Sequence, residues 1–143
     1  MRTLFDTSVV VAALVDQLGT HQAAFREFRR HSSGENAGFC STHALAEIYA
    51  TLTALPLQRR ISPDDARRLL EETVLARLAV VPLGSADYRA VLRQVADQGL
   101  GSGAIYDALH AHCARKEGVD QILTYNVADF ERFELEDIVV TAP

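Results

Sequence analysis

The stretch RTLFDTSVVVAAL, residues 2–14, begins an alternation of strands and helices that continues along the rest of the chain. We interpret residues 2–5 as a short buried strand that ends at Asp6. Residues 7–15 then predict a helix, with Asp6 or Thr7 at its N-cap. A strand that leads through a carboxylate directly into a helix is typical of an α/β fold, in which polar residues at the strand ends collect at one edge of the sheet.

Strands and helices alternate along the whole sequence. Further strands are predicted at 37–41, 78–83, 121–124 and 138–141, further helices at 21–30, 42–55, 63–76, 85–98 and 104–117, loops at 32–36 and 99–103, and a short helical turn at 127–133. This alternation implies right-handed crossovers and a mainly parallel sheet. We therefore expect an α/β fold with about five strands, helices on both faces, and a single domain over residues 1–143.

The composition limits the classes of protein that fit. The 143 residues are 48% hydrophobic and carry a formal net charge of −5, whereas a protein that binds nucleic acid through a broad basic surface is normally basic overall. Any contact with nucleic acid would therefore use local patches or metal ions. Cys40 and Cys113 have neither C-x-x-C nor zinc spacing, which favours two buried thiols in a reducing compartment. No segment resembles a signal peptide or approaches the ~20 apolar residues of a membrane span. We expect a cytoplasmic protein with no membrane partner.

Four acidic residues stand at positions where an α/β sheet would gather them. Asp6 follows the first strand, and Asp129 follows the fourth. Glu47 lies one turn inside the helix after the second strand, and Asp107 lies one turn inside the helix before the fourth. Each has a simpler alternative, because Asp6 and Asp129 could cap helices and Glu47 could pair with His43 four residues earlier. Their joint placement favours a shared site.

Asp107 occurs in the helical segment GAIYDALHAH, residues 103–112. Its neighbours at helical spacing are alanines, which leave room around its carboxylate beside the apolar stripe. His110 lies one turn later and is a candidate proton donor or phosphate contact, although we favour an ordinary helix histidine. We interpret His43 and His112 in the same way.

Crowded carboxylates require a counter-charge. At ~5 Å and an effective dielectric of ~20, one pair costs roughly 3 kcal/mol, so a cluster must protonate in part or bind a cation. Oxygen ligands suit Mg²⁺ or Mn²⁺ better than zinc. Such an ion can activate a water molecule and stabilise negative charge on a phosphate. The four acids therefore indicate metal-dependent chemistry at a phosphate.

With these residues, the chain resembles the PIN-domain nucleases, and within them the VapC-type toxins of bacterial toxin–antitoxin pairs. The matching stretches are LFDTSVVVAAL (4–14), THALAEIYATL (42–52), GAIYDALHAHCAR (103–115) and ILTYNVADFERF (122–133). The resemblance implies a five-stranded parallel sheet, an acidic Mg²⁺- or Mn²⁺-dependent site that cleaves RNA, and a homodimer. It also implies a cognate antitoxin whose C-terminal segment covers the acidic site.

The resemblance assigns catalytic roles to four residues. Asp6, Glu47 and Asp107 fall on the first three acids of the family. Asn126 stands where many relatives carry the fourth acid, and we take Asp129, three residues later, as the fourth carboxylate. Asp6 and Asp107 are expected to bind the metal directly, and Glu47 and Asp129 directly or through water.

Hydroxyl and amide groups are expected to surround these acids. Thr7 and Ser8 fall on the small polar position after the first acid. Thr124 ends the fourth strand, and Asn126 is a candidate water ligand. Whether Asn126 or Asp129 serves as the fourth position is left open by the sequence.

The partner surfaces are less specific. Arg59 and Arg60 are candidate contacts for RNA phosphates, and further arginine pairs occur at 29–30 and 67–68. Most such pairs are simply solvated. The helices at 42–55 and 63–76 are expected to form the walls of a groove for the antitoxin, because their apolar stripes exceed what one small core can bury. Transfer, ribosomal and messenger RNA all remain candidate substrates.

Two other functions also place acids at a sheet edge. A non-catalytic PIN-like interaction module would keep the fold without binding metal. A receiver-type phosphoacceptor domain would need an Asp after the third strand and a Lys after a late strand, and this sequence has neither. Binding of a divalent ion would separate these classes from the nuclease.

Overall fold

The structure is a computed structural model that describes residues 1–33 and 35–143. Its strands are β1 (Arg2–Phe5), β2 (Ser32–Ser33), β3 (Asn36–Ser41), β4 (Ala79–Val81), β5 (Gln121–Leu123) and β6 (Val139–Thr141). Five of them form a parallel sheet in the order β4, β3, β1, β5, β6. The two-residue strand β2 runs antiparallel along the start of β3. The predicted α/β class with a mainly parallel sheet is confirmed.

The helices follow the predicted order. They are α1 (Thr7–Leu14), α2 (His21–Arg30), α3 (Thr42–Ala54), α4 (Pro63–Leu69), α5 (Leu75–Arg77), α6 (Ser85–Asp97), α7 (Ala104–Glu117) and α8 (Val127–Phe130). Ser62 caps α4 by accepting a hydrogen bond from the Asp65 amide at 3.1 Å, and Pro63 occupies the first turn. Gly118 ends α7 in the left-handed conformation, with φ 66° and ψ 49°.

Apart from ends that shift by one residue, four local features differ from the sequence-based expectations. The strand predicted at 78–83 covers only Ala79–Val81, the three residues that pair with β3. The segment 32–36, predicted as a loop, contains β2 and the start of β3, and residue 34 lies outside the described residues. Backbone pairing creates β2, and the polar side-chain pattern gives no sign of it. The helix predicted at 63–76 is continuous but includes a π-helical turn at Leu70–Val74. The helical turn predicted at 127–133 ends at Phe130.

The sheet is covered on both faces by apolar layers. Successive residues of β1 point to opposite faces, so Phe5 packs with the helices on one side and Leu4 with those on the other. The first layer includes Phe28, Ile48 and Leu52, and the second includes Val91, Leu109, Ile122 and Phe130. Burial of a side chain of this size stabilises the fold by about 1.5–3 kcal/mol.

The position of β1 determines where polar groups collect. The chain passes from β1 to β3 and β4 on one side of the sheet, and β5 and β6 lie on the other side. The carboxyl end of β1 is therefore the point at which the strand order reverses, which is where open α/β sheets bind ligands.

None of the described helices is both long and apolar enough to cross a lipid bilayer.

Candidate active site

Asp6 is buried at the carboxyl end of β1, with 4% of its surface exposed. Its Oδ2 atom accepts hydrogen bonds from the Thr124 hydroxyl at 2.7 Å and from the Ser8 hydroxyl at 2.9 Å. Although Asp6 occupies the N-cap position of α1, its carboxylate makes no capping hydrogen bond. The side chain is therefore fixed by hydroxyls from two elements, and the simple capping interpretation does not account for it.

The same hydroxyls tie the ends of β1 and β5 together. Ser8 Oγ accepts a hydrogen bond from the Tyr125 amide at 3.1 Å, and Thr124 Oγ1 accepts one from the Asn126 amide at 3.0 Å. The Thr7 hydroxyl is buried, yet its oxygen has no hydrogen-bond partner within the described residues. An orphaned polar atom next to a buried carboxylate leaves capacity for a further polar group at this edge.

Asp107 extends from the first turn of α7 toward the same edge. Burial raises the pKa of its carboxyl to about 6, and the negative charges of Asp6 and Asp129 add to that shift. His110 and Arg132 act in the opposite direction, and the Arg132 guanidinium lies 3.3 Å from Asp107 Oδ2. Asp107 therefore lies within electrostatic range of Asp6 and Asp129, and we refer to these three acids as the acidic cluster.

Arg132 brings a positive charge into this cluster. Its Nε atom donates a hydrogen bond to the Asp129 carbonyl at 2.8 Å, and its guanidinium lies 5.5 Å from the Phe133 ring centroid. The sequence reasoning did not single out Arg132. Its position three residues after Asp129, just beyond a helical turn, is the signal that could have indicated it.

Glu47 reaches the site from α3 and is paired with two histidines. The Nε2 atom of His110, on α7, lies 2.7 Å from Glu47 Oε1 and 3.7 Å from Asp6 Oδ1. His43 Nε2 lies 3.2 Å from the same Glu47 oxygen but lacks hydrogen-bond alignment, so the predicted pairing at four-residue spacing is a close approach without a hydrogen bond. Burial lowers the pKa of His43, which disfavours its charged form.

His110 is an internal member of the cluster, and the expectation of an ordinary helix histidine is wrong. Only 1% of its surface is exposed. Burial lowers its pKa, but the hydrogen bond to Glu47 and the charges of Asp6, Glu47 and Asp107 outweigh burial and raise it. His112, by contrast, lies outside the cluster and pairs with Asp87 at 2.8 Å.

The donor set fits a hard divalent cation. The acids provide oxygen donors, and Asp107 has the raised pKa of a crowded carboxylate. The carboxylates are nevertheless engaged by protein partners. Among residues 1–33 and 35–143, no three Asp, Glu, His or Cys side chains converge in a geometry that would hold a metal. Metal binding would thus require Asp107 to adjust its contact with Arg132.

The candidate RNA-binding arginines lie elsewhere. Arg59 and Arg60 are exposed and line a groove of about 430 Å³ with Leu14, Leu57 and Ile61. Leu14 ends α1, whereas Asp6 immediately precedes that helix, so the groove lies at the opposite end of α1 from the acids. The structure brings the predicted acids to one edge and places these two arginines away from it.

Comparisons with known proteins agree with this geometry. The family model described as PIN domain matches residues 3–134. Ribonuclease VapC27 from Mycobacterium tuberculosis is 38% identical over 109 residues, covering 76% of this chain and 74% of that protein. Ribonuclease VapC40 from the same species is 31% identical over 139 residues, covering 95% and 97%.

A solved structure shows the same fold. The crystal structure of VapBC2 from Rickettsia felis bound to a DNA fragment from the promoter superposes with a TM-score of 0.68, at 18% identity and with full coverage of both chains. The family match runs from within β1 to beyond α8 and therefore includes all four acids. The chain therefore belongs to the PIN-domain family, and its relatives within that family include proteins named Ribonuclease VapC.

Proposed function

We propose that this protein is an endoribonuclease that acts as the toxin of a toxin–antitoxin pair. The observation that carries the proposal is the buried Asp6 carboxylate, held by Ser8 and Thr124 and close enough to Asp107 to raise its pKa. Relatives at 31–38% identity are named ribonucleases. Residues 1–143 act as one domain, in the cytoplasm, and the reaction is hydrolysis of RNA phosphodiester bonds.

The acids would hold Mg²⁺ or Mn²⁺. Asp6 and Asp107 are the direct ligands, and Glu47 and Asp129 contribute directly or through water. When bound, the ion activates a water molecule and stabilises negative charge on the phosphate. Ser8 and Thr124 hold Asp6 in one orientation by donating hydrogen bonds to its Oδ2 atom. The other carboxylate oxygen, Oδ1, would bind the metal ion. The Asn126 backbone amide donates a hydrogen bond to Thr124 Oγ1, and its side chain would orient a water molecule at the bound ion.

The cognate antitoxin would cover an apolar groove beside α3 and α4. This groove has a volume of about 480 Å³, and its apolar lining consists of Leu45, Tyr49, Pro63, Leu70 and Leu75. Tyr49 and Leu75 are 39% and 44% exposed, whereas Leu52, on the same helix as Tyr49, is fully buried. Tyr49 and Leu75 are therefore the large hydrophobic side chains that the groove exposes. A homodimer is also part of this proposal.

The test is to map RNA 5′ ends after the chain is expressed without an antitoxin. We expect discrete new ends and growth arrest with the wild type, and neither with Asp6→Asn. The purified protein should produce the same ends in Mn²⁺ and none in chelator. Growth arrest by Asp6→Asn without new ends would overturn the nuclease proposal in favour of a non-catalytic interaction module.

A further inference from the structure

His110 connects three elements of the fold at the acidic edge. The residue lies on α7, one turn after Asp107. Its Nε2 atom lies 2.7 Å from Glu47 Oε1 on α3, and its Nδ1 atom lies 3.1 Å from Ser41 Oγ at the end of β3. Ser41 Oγ also accepts the Ala44 amide at 3.0 Å as the N-cap of α3. Both ring nitrogens of a buried imidazole are thus tied to the elements that carry Glu47.

The position of one proton follows from these partners. A carboxylate oxygen only accepts hydrogen bonds, so the hydrogen of the short contact must reside on His110 Nε2, whether the ring is neutral or charged. Ser41 Oγ can donate to Nδ1 of a neutral ring or accept from a charged one. The direction of the His110–Glu47 hydrogen bond therefore does not depend on the protonation state of the ring.

A second histidine ring, that of His43, also lies next to the Oε1 atom of Glu47. The His43 ring lies 6.0 Å from the His110 ring and stacks on Tyr106 at 5.0 Å with an interplanar angle of 14°. His43 Nε2 and His110 Nε2 both face the Oε1 atom of Glu47. Within the described residues, Oε2 of Glu47 makes no hydrogen bond or ion pair. Glu47 therefore uses Oε1 for contacts within the protein, whereas Oε2 is not used for them.

We propose that His110 is a positioning residue, which fixes the Glu47 carboxylate through Oε1 so that Oε2 remains available to the cation site. This inference rests on the proposed metal-dependent function. Hydrogen-bond partners that orient metal ligands typically contribute 10–100-fold to metal affinity. Two other roles of His110 predict different results when its side chain is removed. If His110 only fills space in the core, the metal affinity should stay unchanged. If His110 is an internal cation that competes with the metal for Glu47, the metal affinity should increase.

The experiment measures Mn²⁺ affinity of the purified full chain, using the electron paramagnetic resonance signal of free Mn²⁺. We expect His110→Phe, which keeps a buried aromatic ring but removes the donor, to weaken binding at least tenfold. His110→Gln should recover part of the loss, because its amide can donate near the position of Nε2. Unchanged or tighter binding by His110→Phe would overturn the proposal.

His112→Phe is the matched control, since His112 lies on the same helix and pairs with an acid outside the cluster. It should leave Mn²⁺ affinity unchanged. In Glu47→Gln, which keeps the shape of the side chain, adding His110→Gln should cause little further loss, because the two residues act through one hydrogen bond. Additive losses would mean that His110 acts independently of Glu47. This pair decides the matter even if His110→Phe fails to fold.

A readout on metal-free protein avoids activity altogether. Long-range ¹H–¹⁵N spectra of labelled protein should show a slowly exchanging proton on His110 Nε2, and Glu47→Gln should shift its resonance. A ring protonated only on Nδ1 would contradict the proposal.

The Mn²⁺ measurements also separate failure of the metal site from failure of the role given to His110. Wild type that does not bind Mn²⁺ would refute the metal site itself. Wild type that binds Mn²⁺, with Asp107→Asn defective and His110→Phe normal, would refute only the role of His110.

Discussion

The guanidinium of Arg132 lies 3.3 Å from the carboxylate of Asp107, so the crowded acid of the cluster already has a cation beside it. Arg132 is anchored at its own turn by the hydrogen bond from its Nε to the Asp129 carbonyl. This contact lowers the pKa of Asp107, although burial and the charges of Asp6 and Asp129 outweigh it. Arg132 thus partly offsets the repulsion among the acids in the metal-free protein.

Removal of this cation should raise the pKa of Asp107 further. In Arg132→Gln we expect a pKa above the value of about 6, with an increase of up to about 0.7 unit, since partly exposed ion pairs contribute about 0.2–1 kcal/mol. The measurement is a pH titration of the Asp107 carboxyl carbon by NMR. Arg59→Gln, far from the acids, is the control. An unchanged pKa in Arg132→Gln would show that the ion pair does not persist in solution.

Catalysis should depend on Asp6 and Asp107 as a unit. Asp6→Asn and Asp107→Asn should each remove nearly all RNA cleavage while circular dichroism shows an intact fold. The double variant should be scarcely worse than either single one, because loss of one ligand already disables a shared ion. The measurement is the cleavage rate of purified protein on total RNA with Mn²⁺. Retention of more than about a tenth of the wild-type rate by either variant would contradict the metal-site assignment.

The fourth position of the site can be tested by comparing Asp129 with Asn126. Both side chains are exposed, but Asp129 contributes negative charge to the environment of Asp107, whereas the Asn126 backbone amide only donates a hydrogen bond to Thr124 Oγ1. Asp129→Asn should therefore raise the Mn²⁺ concentration needed for half-maximal cleavage more than Asn126→Ala does. If Mn²⁺ titrations give the opposite order, Asn126 provides the fourth ligand.

Asp107 should reduce the stability of the metal-free protein at neutral pH. The folded state keeps the Asp107 proton up to about pH 6, whereas the unfolded chain releases it near its ordinary value of about 4. Because the folded state binds more protons in this window, the free energy of unfolding falls as the pH rises from about 4 to about 6. The shift corresponds to about 3 kcal/mol at most. Asp107→Asn should remove this pH dependence and melt higher than wild type in chelator at pH 7.5.

Thermal melts with Mn²⁺ complete this test. Wild type should gain about 2.7 kcal/mol when Mn²⁺ is at a hundredfold excess over its dissociation constant. Asp107→Asn should gain much less, so a stabilised fold would coincide with loss of activity. If Asp107 were only a surface residue, Asn would be neutral or mildly destabilising and both proteins would respond to Mn²⁺ alike.

Antitoxin binding should depend on the apolar groove beside α3 and α4. Tyr49→Asp and Leu75→Asp each place a charge on an exposed apolar side chain in that groove, and each should weaken binding of the purified cognate antitoxin by at least tenfold in calorimetry. Leu92→Asp is the control, because Leu92 is 51% exposed on α6, outside the groove. Wild-type affinity in both groove variants would place the antitoxin on another surface.

Much of the fold was accessible from local sequence alone. The ranges 2–5, 21–30 and 104–117 were predicted with the bounds that the structure has, because apolar periodicity and the end signals at Asp6 and Gly118 are local properties. The gathering of the acids was also predictable, since parallel strands bring their carboxyl ends to one edge. β2 was missed because backbone pairing at Ser32–Ser33 has no side-chain pattern.

The contacts made by the acids were decided by the tertiary structure. His110 and Glu47 are 63 residues apart, and Arg132 and Asp107 are 25 apart, so no local spacing relates them. His110 meets Glu47 because α7 packs against α3 and β3, which depends on how the helices cover the sheet. The sequence by itself determined which strand ends carry carboxylates. Only the packing of the helices on the sheet decided which side chain faces each one, because burial and orientation depend on neighbours that are distant along the chain.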